Sequence, residues 1–286
     1  MIYVSQGHEN GIGLEIFLKS FLCLSFTNQK KFILVVDKVS LIKNLSDLSI
    51  DFNNFKNSIK IGEANLNCIF TENTHSSQTL SSLNAIFNLI EADDILLTLP
   101  SSKDQFKEND TDYKGHTELF RNHFNKPNLA MCFLGTNSNF LLLTDHIDIK
   151  HISEKINLDK IREKICFFLA SHLANRRIDE IYFSGINPHC GEHGLISTDD
   201  IIIANTITVI QSEYPQIKIH PMLAGDTLHF NIRNKNQLFI YAGHDQGLGV
   251  FKTKYGLTGI NFTAGLPFRR VSAVSYTHLR AHETRH

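Results

Sequence analysis

Three histidines each follow a short apolar segment of the chain, at the point where that segment ends. His146 follows FLLLT at 140–144, His189 follows EIYFS at 180–184, and His244 follows LFIYA at 238–242. In an open α/β sheet, ligands bind beyond the carboxyl ends of the strands, so imidazoles delivered there would converge. Three neutral imidazoles that leave coordination positions open are typical of a catalytic divalent metal site. The pattern therefore predicts such a site, whereas each histidine taken alone indicates only a surface or hydrogen-bonding residue.

His189 has the most unusual setting of the three, within SGINPHCGEHG at 184–194. Proline fixes φ and pushes the preceding residue toward extended geometry, while glycine permits left-handed backbone. We therefore expect Asn187 to Gly191 to turn sharply and to aim His189 in a set direction.

The segments that carry these histidines belong to a pattern of β-branched runs alternating with amphipathic stretches. The predicted strands are 2–4, 32–36, 95–99, 131–135, 140–144, 180–184 and 238–242. TNSN separates the strands at 131–135 and 140–144, which predicts a hairpin. The sequence therefore predicts an α/β fold with a largely parallel sheet.

Three helices are predicted from apolar residues spaced three and four apart or from capping residues. One stripe consists of Leu83, Ile86, Phe87 and Ile90, and another of Ile161, Ile165, Phe168, Leu169 and Leu173. A third helix is expected after STDD at 197–200, with Ser197 or Thr198 as its cap. The polar segments 43–61 and 101–116 are predicted to be loops.

The composition argues against several classes of protein. The 286 residues carry 28 basic and 29 acidic side chains, which indicates neither a nucleic-acid partner nor a membrane surface. The start of the chain lacks a secretory-signal pattern, and no apolar stretch approaches the about 18 residues that span a bilayer, so we expect a cytoplasmic protein. Five cysteines without a CxxC pair argue against a disulfide framework.

The segments around the histidines carry further motifs. NPHCGEHG with TDD, GHDQGLGVFK at 243–252 and GINFTAGLPFRR at 259–270 occur in this order. They resemble the 4-hydroxythreonine-4-phosphate dehydrogenases of pyridoxal phosphate biosynthesis, which show an NPHAGE-like segment, an HDQGL segment leading to a lysine, and a VN-x-T-x-GLPF-x-R segment. GHENGIGLEIFLK at 7–19, KGHTELF at 114–120 and LAGDTLHF at 223–230 are similar to other segments of that family. The resemblance runs to about Arg270.

The resemblance implies roles for particular residues. It places divalent-metal ligands at His146, His189 and His244, and substrate-binding groups at His116, Thr117, Lys252, Asn261 and Arg270. Lysine and arginine would supply positive charge for a phosphate dianion. Asp245, beside His244, is the candidate catalytic residue because it would orient an imidazole or take a proton, although an acid in a turn is more often a cap.

The resemblance also implies an architecture and cofactors. The implied fold is the α/β/α architecture of isopropylmalate dehydrogenase, with two domains flanking an active-site cleft. The implied assembly is a homodimer with a shared active site, in which His244 and the group of Lys252, Asn261 and Arg270 enter from the neighbouring chain. The implied cofactors are NAD or NADP and a divalent metal, for which Zn, Mg, Co and Mn are candidates. Such a metal would lower the pKa of a substrate hydroxyl and favour hydride transfer to nicotinamide.

We expect a first domain over 1–128 plus 262–272 and a second domain, with the metal ligands, over 129–261. The sequence departs from the family at Glu9 and Asn10, and at Leu99, where a glycine would leave more room for a ligand. After PFRR the chain reads VSAVSYTHLRAHETRH, where the family continues with closing helices. We therefore expect a divergent, C-terminally truncated member with a non-native tail over 273–286.

Three functions stay open on the sequence alone. The first is NAD- and metal-dependent oxidation and decarboxylation of 4-phosphooxy-L-threonine to 3-amino-2-oxopropyl phosphate. The second is a dehydrogenase for a related phosphorylated hydroxy acid, such as threonate or erythronate 4-phosphate. The third is a metal-dependent hydrolase or a non-catalytic phosphate-ligand binder, which a three-histidine site alone would permit.

Overall fold

The computed structural model describes residues 1–72, 77–108, 111–171, 177–256 and 258–274. Contacts divide the chain into two compact units, Met1–Asn125 with Pro267–His286 and Lys126–Leu266. In each unit, helices pack against hydrogen-bonded strands. The α/β class predicted from the sequence is therefore confirmed.

Helices and strands alternate along most of the chain. The first part of the chain forms β1 (Ile2–Ser5), α1 (Gly13–Leu22), α2 (Phe26–Gln29), β2 (Phe32–Val36), α3 (Lys38–Asp47), β3 (Phe52–Asn54), β4 (Ser58–Ile61), β5 (Ala64–Phe70), α4 (Gln78–Phe87), β6 (Ile95–Thr98), β7 (Lys107–Glu108), β8 (Thr111–Asp112) and α5 (His116–His123). The rest forms β9 (Ala130–Leu134), β10 (Asn139–Leu142), α6 (Ile152–Lys155), α7 (Leu158–Ala170), β11 (Glu180–Phe183), α8 (Ile201–Glu213), β12 (Lys218–Ile219), β13 (Gln237–Tyr241), α9 (His244–Tyr255), β14 (Ile260–Ala264) and β15 (Arg269–Ala273). Short 3-10 helices cover Lys103–Gln105, Ile149–His151 and Leu228–Asn231, and Pro188–Gly194 forms a turn with left-handed backbone.

The first unit has the strand order β15-β6-β1-β2-β5-β4-β3. The strands from β15 to β5 pair in parallel, and β4 and β3 add an antiparallel edge. Leu14 and Leu18 of α1 are buried with Val4 and Leu34 of the central strands. An apolar stripe along one helix face therefore holds α1 on this part of the sheet.

The second unit has the strand order β12-β11-β13-β10-β9-β14. β10, β13, β11 and β12 are parallel, whereas β9 is antiparallel to both β10 and β14. Phe140, Phe239 and Tyr241 are buried on adjacent strands, and Phe251 of α9 packs edge-on against Phe140. Because β10, β11 and β13 run in the same direction, their carboxyl ends share one edge of the sheet.

Most predicted elements are confirmed with small shifts in their ends. The hairpin of β9 and β10 is antiparallel as expected, and the three predicted helices correspond to α4, α7 and α8. Ile90 lies beyond the end of α4, and Leu173 lies outside the described residues. The tail beyond Val274 is likewise outside them.

Three local predictions are wrong. The segment 101–116 is not a loop throughout, because it contains the 3-10 helix Lys103–Gln105 and the paired strands β7 and β8. The segment 43–61 is not a loop, because α3 extends to Asp47 and the segment then forms β3 and β4. β3 lies at the edge of the sheet, where polar residues such as Asn53 and Asn54 face solvent, so the sequence lacks the apolar alternation of a half-buried strand. The cap of α8 is not Ser197 or Thr198 but Asp200.

Within the described residues, no helix is both long enough and apolar enough to cross a membrane.

Candidate active site

His146 and His244 lie side by side at the carboxyl ends of β10 and β13. Their ring centroids are 5.3 Å apart and their planes are inclined by 42°. Beyond the paired strands, the backbone N–H of Thr144 donates to the carbonyl of Ala242 at 3.1 Å, and the Thr144 hydroxyl donates to the same oxygen at 2.6 Å. These bonds extend the strand register into the two segments that carry the histidines, so the proximity of the rings follows from the sheet.

Asp245 lies next to His244 in the first turn of α9. Its Oδ1 is 2.7 Å from Nδ1 of His244, and its side chain is otherwise exposed. When Nδ1 donates to a carboxylate, Nε2 carries the lone pair that a metal requires. The orienting role predicted for Asp245 is therefore compatible with its position.

The spacing of His146 and His244 fits one divalent ion. Two imidazole nitrogens bound at about 2.0–2.1 Å in tetrahedral geometry are about 3.3 Å apart. Rings with centroids 5.3 Å apart can place their nitrogens at that separation. Among the residues that the structure describes, no group of three or more His, Cys, Asp and Glu side chains is arranged to hold a metal ion. Two of the three predicted ligands are thus brought together within one chain, and the complete set stays a prediction.

His189 lies in a left-handed turn that follows Pro188. From His189 to His193, five consecutive residues have φ between 46° and 76° and ψ between 2° and 56°. The sharp turn expected from the proline and glycines is therefore present. It goes further than expected, because four of these five residues are not glycine. Left-handed backbone normally occurs at single residues rather than in runs.

Gln246 ties together the ends of two histidine-bearing strands. Its Oε1 accepts from the Ser184 hydroxyl at 3.0 Å and from the Ala242 N–H at 3.1 Å, and its Nε2 donates to the Gly185 carbonyl at 3.0 Å. Gln246 lies within the segment that resembles HDQGL, but the resemblance assigns it no role. A signal is nevertheless present, because Gln246 is the third residue of a helix that begins after Gly243, the position from which a glutamine reaches back to the helix start.

In the first unit, Arg270 lies in a buried setting formed by β6 and α5. Only 3% of Arg270 is exposed, its Nη2 donates to the Thr98 hydroxyl at 2.6 Å, and its guanidinium carbon lies 5.5 Å from the centroid of Phe120. Burial lowers the pKa of Arg270 to about 9. The guanidinium is therefore still a cation at neutral pH, and binding an anion there would stabilise its charge.

His116 and Thr117 form the start of α5, after Gly115. The ring centroid of His116 is 4.7 Å from that of Phe106 and 6.1 Å from that of Phe120, the ring that also faces Arg270. Thr117 is buried. The first turn of a helix presents unbonded N–H groups and favours negative charge. The structure thus brings His116 and Arg270 around Phe120, with Thr117 one residue further along the helix.

Lys252 and Asn261 lie on separate elements of the second unit. Lys252 is half-buried in the last turn of α9, and Asn261 is half-buried on β14. The Oδ1 atom of Asn261 is buried and accepts no hydrogen bond from any described residue. Buried acceptors are nearly always satisfied, so this atom is suited to a donor on a ligand.

The glycines of the segment 7–13 pack against the chain itself. Gly7 has φ of +73°, and a Cβ there would overlap the Pro100 carbonyl and come within 3.0 Å of the Leu99 Cβ. A Cβ at Gly13 would lie 3.1 Å from the same Leu99 atom. Leu99 is buried, so it fills the space beside this glycine-rich segment, in line with the crowding expected from the sequence.

The fold and site define a class of protein: α/β enzymes that place imidazoles at the carboxyl ends of parallel strands. Residues 29–279 match the family model described as "Pyridoxal phosphate biosynthetic protein PdxA". The chain belongs to this family.

Individual relatives agree with this assignment. The chain is 29% identical over 283 residues to a 4-hydroxythreonine-4-phosphate dehydrogenase of Sulfurimonas denitrificans, an alignment that covers 95% of this chain and 87% of the relative. It is also 29% identical over 181 residues to a D-threonate 4-phosphate dehydrogenase of Bordetella bronchiseptica, covering 63% of this chain and 51% of that protein. A crystal structure of 4-hydroxythreonine-4-phosphate dehydrogenase from Klebsiella pneumoniae matches with a TM-score of 0.72 at 23% identity, covering 97% of this chain and 91% of the other, which supports the fold.

Proposed function

We propose that the protein is an NAD-dependent oxidoreductase that uses a divalent metal ion to oxidise and decarboxylate 4-phosphooxy-L-threonine in pyridoxal phosphate biosynthesis. Membership of the family supports the pathway, and the Sulfurimonas relative supports the substrate. The observation that carries the proposal is the placement of His146 beside His244 at the carboxyl ends of parallel strands. This pair supplies neutral nitrogen ligands where an α/β sheet binds its substrate.

The predicted site residues of the second unit have the following roles in this proposal. His146, His244 and His189 would hold the metal ion, and Asp245 would keep Nε2 of His244 available. When bound, a divalent ion would supply Lewis acidity for a substrate hydroxyl, and NAD or NADP would supply the hydride acceptor. Asn261 offers its buried Oδ1 to a donor on the substrate, and Lys252 adds positive charge.

The phosphate group is assigned to Arg270 in the first unit. A buried guanidinium is a planar donor that binds phosphate with two parallel hydrogen bonds. Thr98 and Phe120 fix its orientation, and His116 and Thr117 at the start of α5 add hydrogen-bond donors. Burial lowers the pKa of Arg270 to about 9, so anion binding recovers part of the desolvation cost.

A homodimer with a shared active site and a cytoplasmic location are part of the proposal. The resemblance assigns the partner copy's contribution to His244, whereas within one chain the ring of His244 already lies beside that of His146. The candidate metals stay Zn, Mg, Co and Mn, because imidazole ligands bind several of them.

A second candidate substrate is D-threonate 4-phosphate or its erythronate counterpart. The Bordetella relative, whose name states this activity, favours it. The two substrate classes share the phosphate and the hydroxyl and differ in the amino group, so one site of this chemistry can serve either.

The test is a substrate comparison with the purified full chain. Protein stripped with a chelator is reloaded separately with Zn²⁺, Mg²⁺, Co²⁺ or Mn²⁺, and NADH or NADPH formation is followed with each phosphorylated acid. We expect metal-dependent reduction of NAD, fastest with 4-phosphooxy-L-threonine. A faster reaction with threonate 4-phosphate would show that threonate 4-phosphate is the preferred substrate. Metal-dependent phosphate release without nicotinamide reduction would indicate a hydrolase instead.

A further inference from the structure

The left-handed turn from His189 to His193 is held from one side by a single buried carboxylate. Asp200, only 3% exposed, accepts from the Ile186 N–H at 2.6 Å and from the Asn187 side-chain amide at 2.8 Å. The backbone N–H of Asn187 donates to the same carboxylate at 3.3 Å. All of these donors lie in the segment that leads into the turn.

The side chain of Asp200 makes these contacts and does not cap helix α8. It is the cap residue of α8, yet its side chain forms no hydrogen bond with the first N–H groups of that helix. An aspartate at this position normally accepts such a bond. The Asp200 carboxylate instead accepts hydrogen bonds from the segment before His189. Asp200 therefore stabilises this segment and does not cap α8 with its side chain.

Two glycines let the turn fit closely around the carboxylate. A Cβ at Gly185 would come within 2.8 Å of Asp200 Oδ1, and a Cβ at Gly191 would lie 3.1 Å from Oδ2 and overlap the Ser197 carbonyl. The chain after the turn folds back on Gly191, because the Gly191 carbonyl accepts a hydrogen bond from the Ile196 N–H at 3.1 Å. The carboxylate is therefore enclosed by the backbone that it orders.

We propose that Asp200 is a positioning residue that holds the left-handed turn and thereby sets the direction of His189. The proposal rests on the proposed function, because His189 matters there as a metal ligand. Left-handed backbone is unfavourable for residues with a Cβ, so His189 and its neighbours keep it only when surrounding contacts enforce it. Without the clamp, the turn would relax and the imidazole would sample many directions.

The test uses four variants of the full chain in metal-free form. Asp200→Asn keeps the shape but places an amide donor against the Asn187 amide. The double variant Asn187→Asp with Asp200→Asn reverses that bond and restores an acceptor facing a donor. Asp199→Asn, at an exposed neighbouring position, removes the same charge without touching the turn. Ile210→Val, in the buried face of α8, lowers stability without changing the clamp.

The readouts are Co²⁺ and Zn²⁺ affinity by competition with a chromophoric chelator, and the Tm of the metal-free protein. We expect Asp200→Asn to weaken metal binding by about 10- to 100-fold, the range for residues that orient metal ligands. The double variant should recover most of this loss, and Asp199→Asn and Ile210→Val should bind as the wild type does. Because Ile210→Val changes Tm alone, it separates positioning from general stability.

Two outcomes would overturn the proposal: unchanged affinity in Asp200→Asn, or a loss that the double variant does not recover. His189→Ala is measured in parallel to keep the two proposals apart. If the wild type binds no metal, the proposed metal site fails, and if it binds metal equally well without His189, the ligand role of His189 fails. If His189→Ala loses binding while Asp200→Asn retains it, only the positioning role of Asp200 fails.

Discussion

Leu142 of β10 pairs with Tyr241 of β13 in parallel register, and this pairing places His146 beside His244. Both histidines follow their strands by a few residues, so the register decides whether the rings meet. Thr144 and Ala242 continue the pairing beyond the strands. The imidazole pair thus depends on the strand register together with the left-handed backbone of His146, whose φ is 43°.

Gly225→Ala should disturb the link between β11 and β13. A Cβ at Gly225 would overlap Nε2 of Gln246, which bonds the Gly185 carbonyl. We expect a loss of about 1–3 kcal/mol in the free energy of unfolding, as for other overpacked sites. The matched control is Gly249→Ala in α9, where a Cβ meets nothing within 4 Å. That variant should be more stable by about 0.5–1 kcal/mol. Urea denaturation measures both, and equal effects would contradict the role of Gln246.

Arg270→Lys should raise KM for the phosphorylated substrate about tenfold or more, a loss of about 1.4 kcal/mol in binding. A point charge replaces the planar fork that Thr98 and Phe120 orient. Arg269→Lys is the control, because Arg269 is half-exposed and donates to the Asp93 carbonyl. Steady-state kinetics should show KM affected only by the change at 270.

Glu180→Gln should make stability less sensitive to acid. Burial alone would raise the pKa of Glu180, but hydrogen bonds from Gln237 at 2.6 Å and His220 at 3.3 Å outweigh it, so the pKa is lowered. A lowered pKa stabilises the fold above the usual value of 4.5, and that contribution is lost as the pH falls through the folded-state value. The Tm of wild type should therefore exceed that of the variant at pH 7, and the gap should close on acidification.

The control for this prediction is Glu154→Gln, an exposed carboxylate that pairs with His151 on the surface. Its Tm should follow that of wild type at every pH, since exposed pairs contribute little. A gap between wild type and Glu180→Gln that stays constant from neutral to acidic pH would contradict the lowered pKa.

His189→Ala should remove most of the bound divalent metal and leave the fold intact, because the residue is exposed. Losing a ligand should cost more than the about 10- to 100-fold typical of residues that only orient ligands. His193→Ala is the matched control, since it lies in the same left-handed turn. Elemental analysis of purified protein measures the effect. Full metal content in the 189 variant would remove His189 from the ligand set.

The sequence predicts the sheet better than it predicts the site. Strands such as 32–36 and 238–242 are recognisable because continuous apolar runs are typical of strands buried on both faces. β14 and β15 are not recognisable as strands, since Asn261, Arg269 and Arg270 interrupt their apolar pattern. Asn261 and Arg270 are assigned to substrate binding, and Arg269 is adjacent to Arg270. Polar residues that the proposed function requires therefore hide the apolar pattern by which a strand is recognised.

The turn at His189 shows most clearly which conformations the local sequence does not predict. Proline and glycine predict a reversal, but positive φ at His189, Cys190 and Glu192 depends on Asp200, which follows several residues later in the chain. Local propensity cannot indicate a conformation that a distant carboxylate enforces. The same holds for the failed cap prediction at Ser197 and Thr198, because Asp200 takes the cap position while its side chain serves the turn.

The most direct test of the proposed catalytic metal site is the rate of NADH formation from 4-phosphooxy-L-threonine by the wild type and by His244→Ala, each measured after chelation and after return of the metal. The wild type should lose activity on chelation and regain it with a divalent ion. The His244→Ala variant should stay inactive at metal concentrations that restore the wild type, while its Tm without metal is unchanged. Wild-type activity that survives complete metal removal, or a fully active His244→Ala variant, would contradict the claim that the strand-end imidazoles form the catalytic metal site.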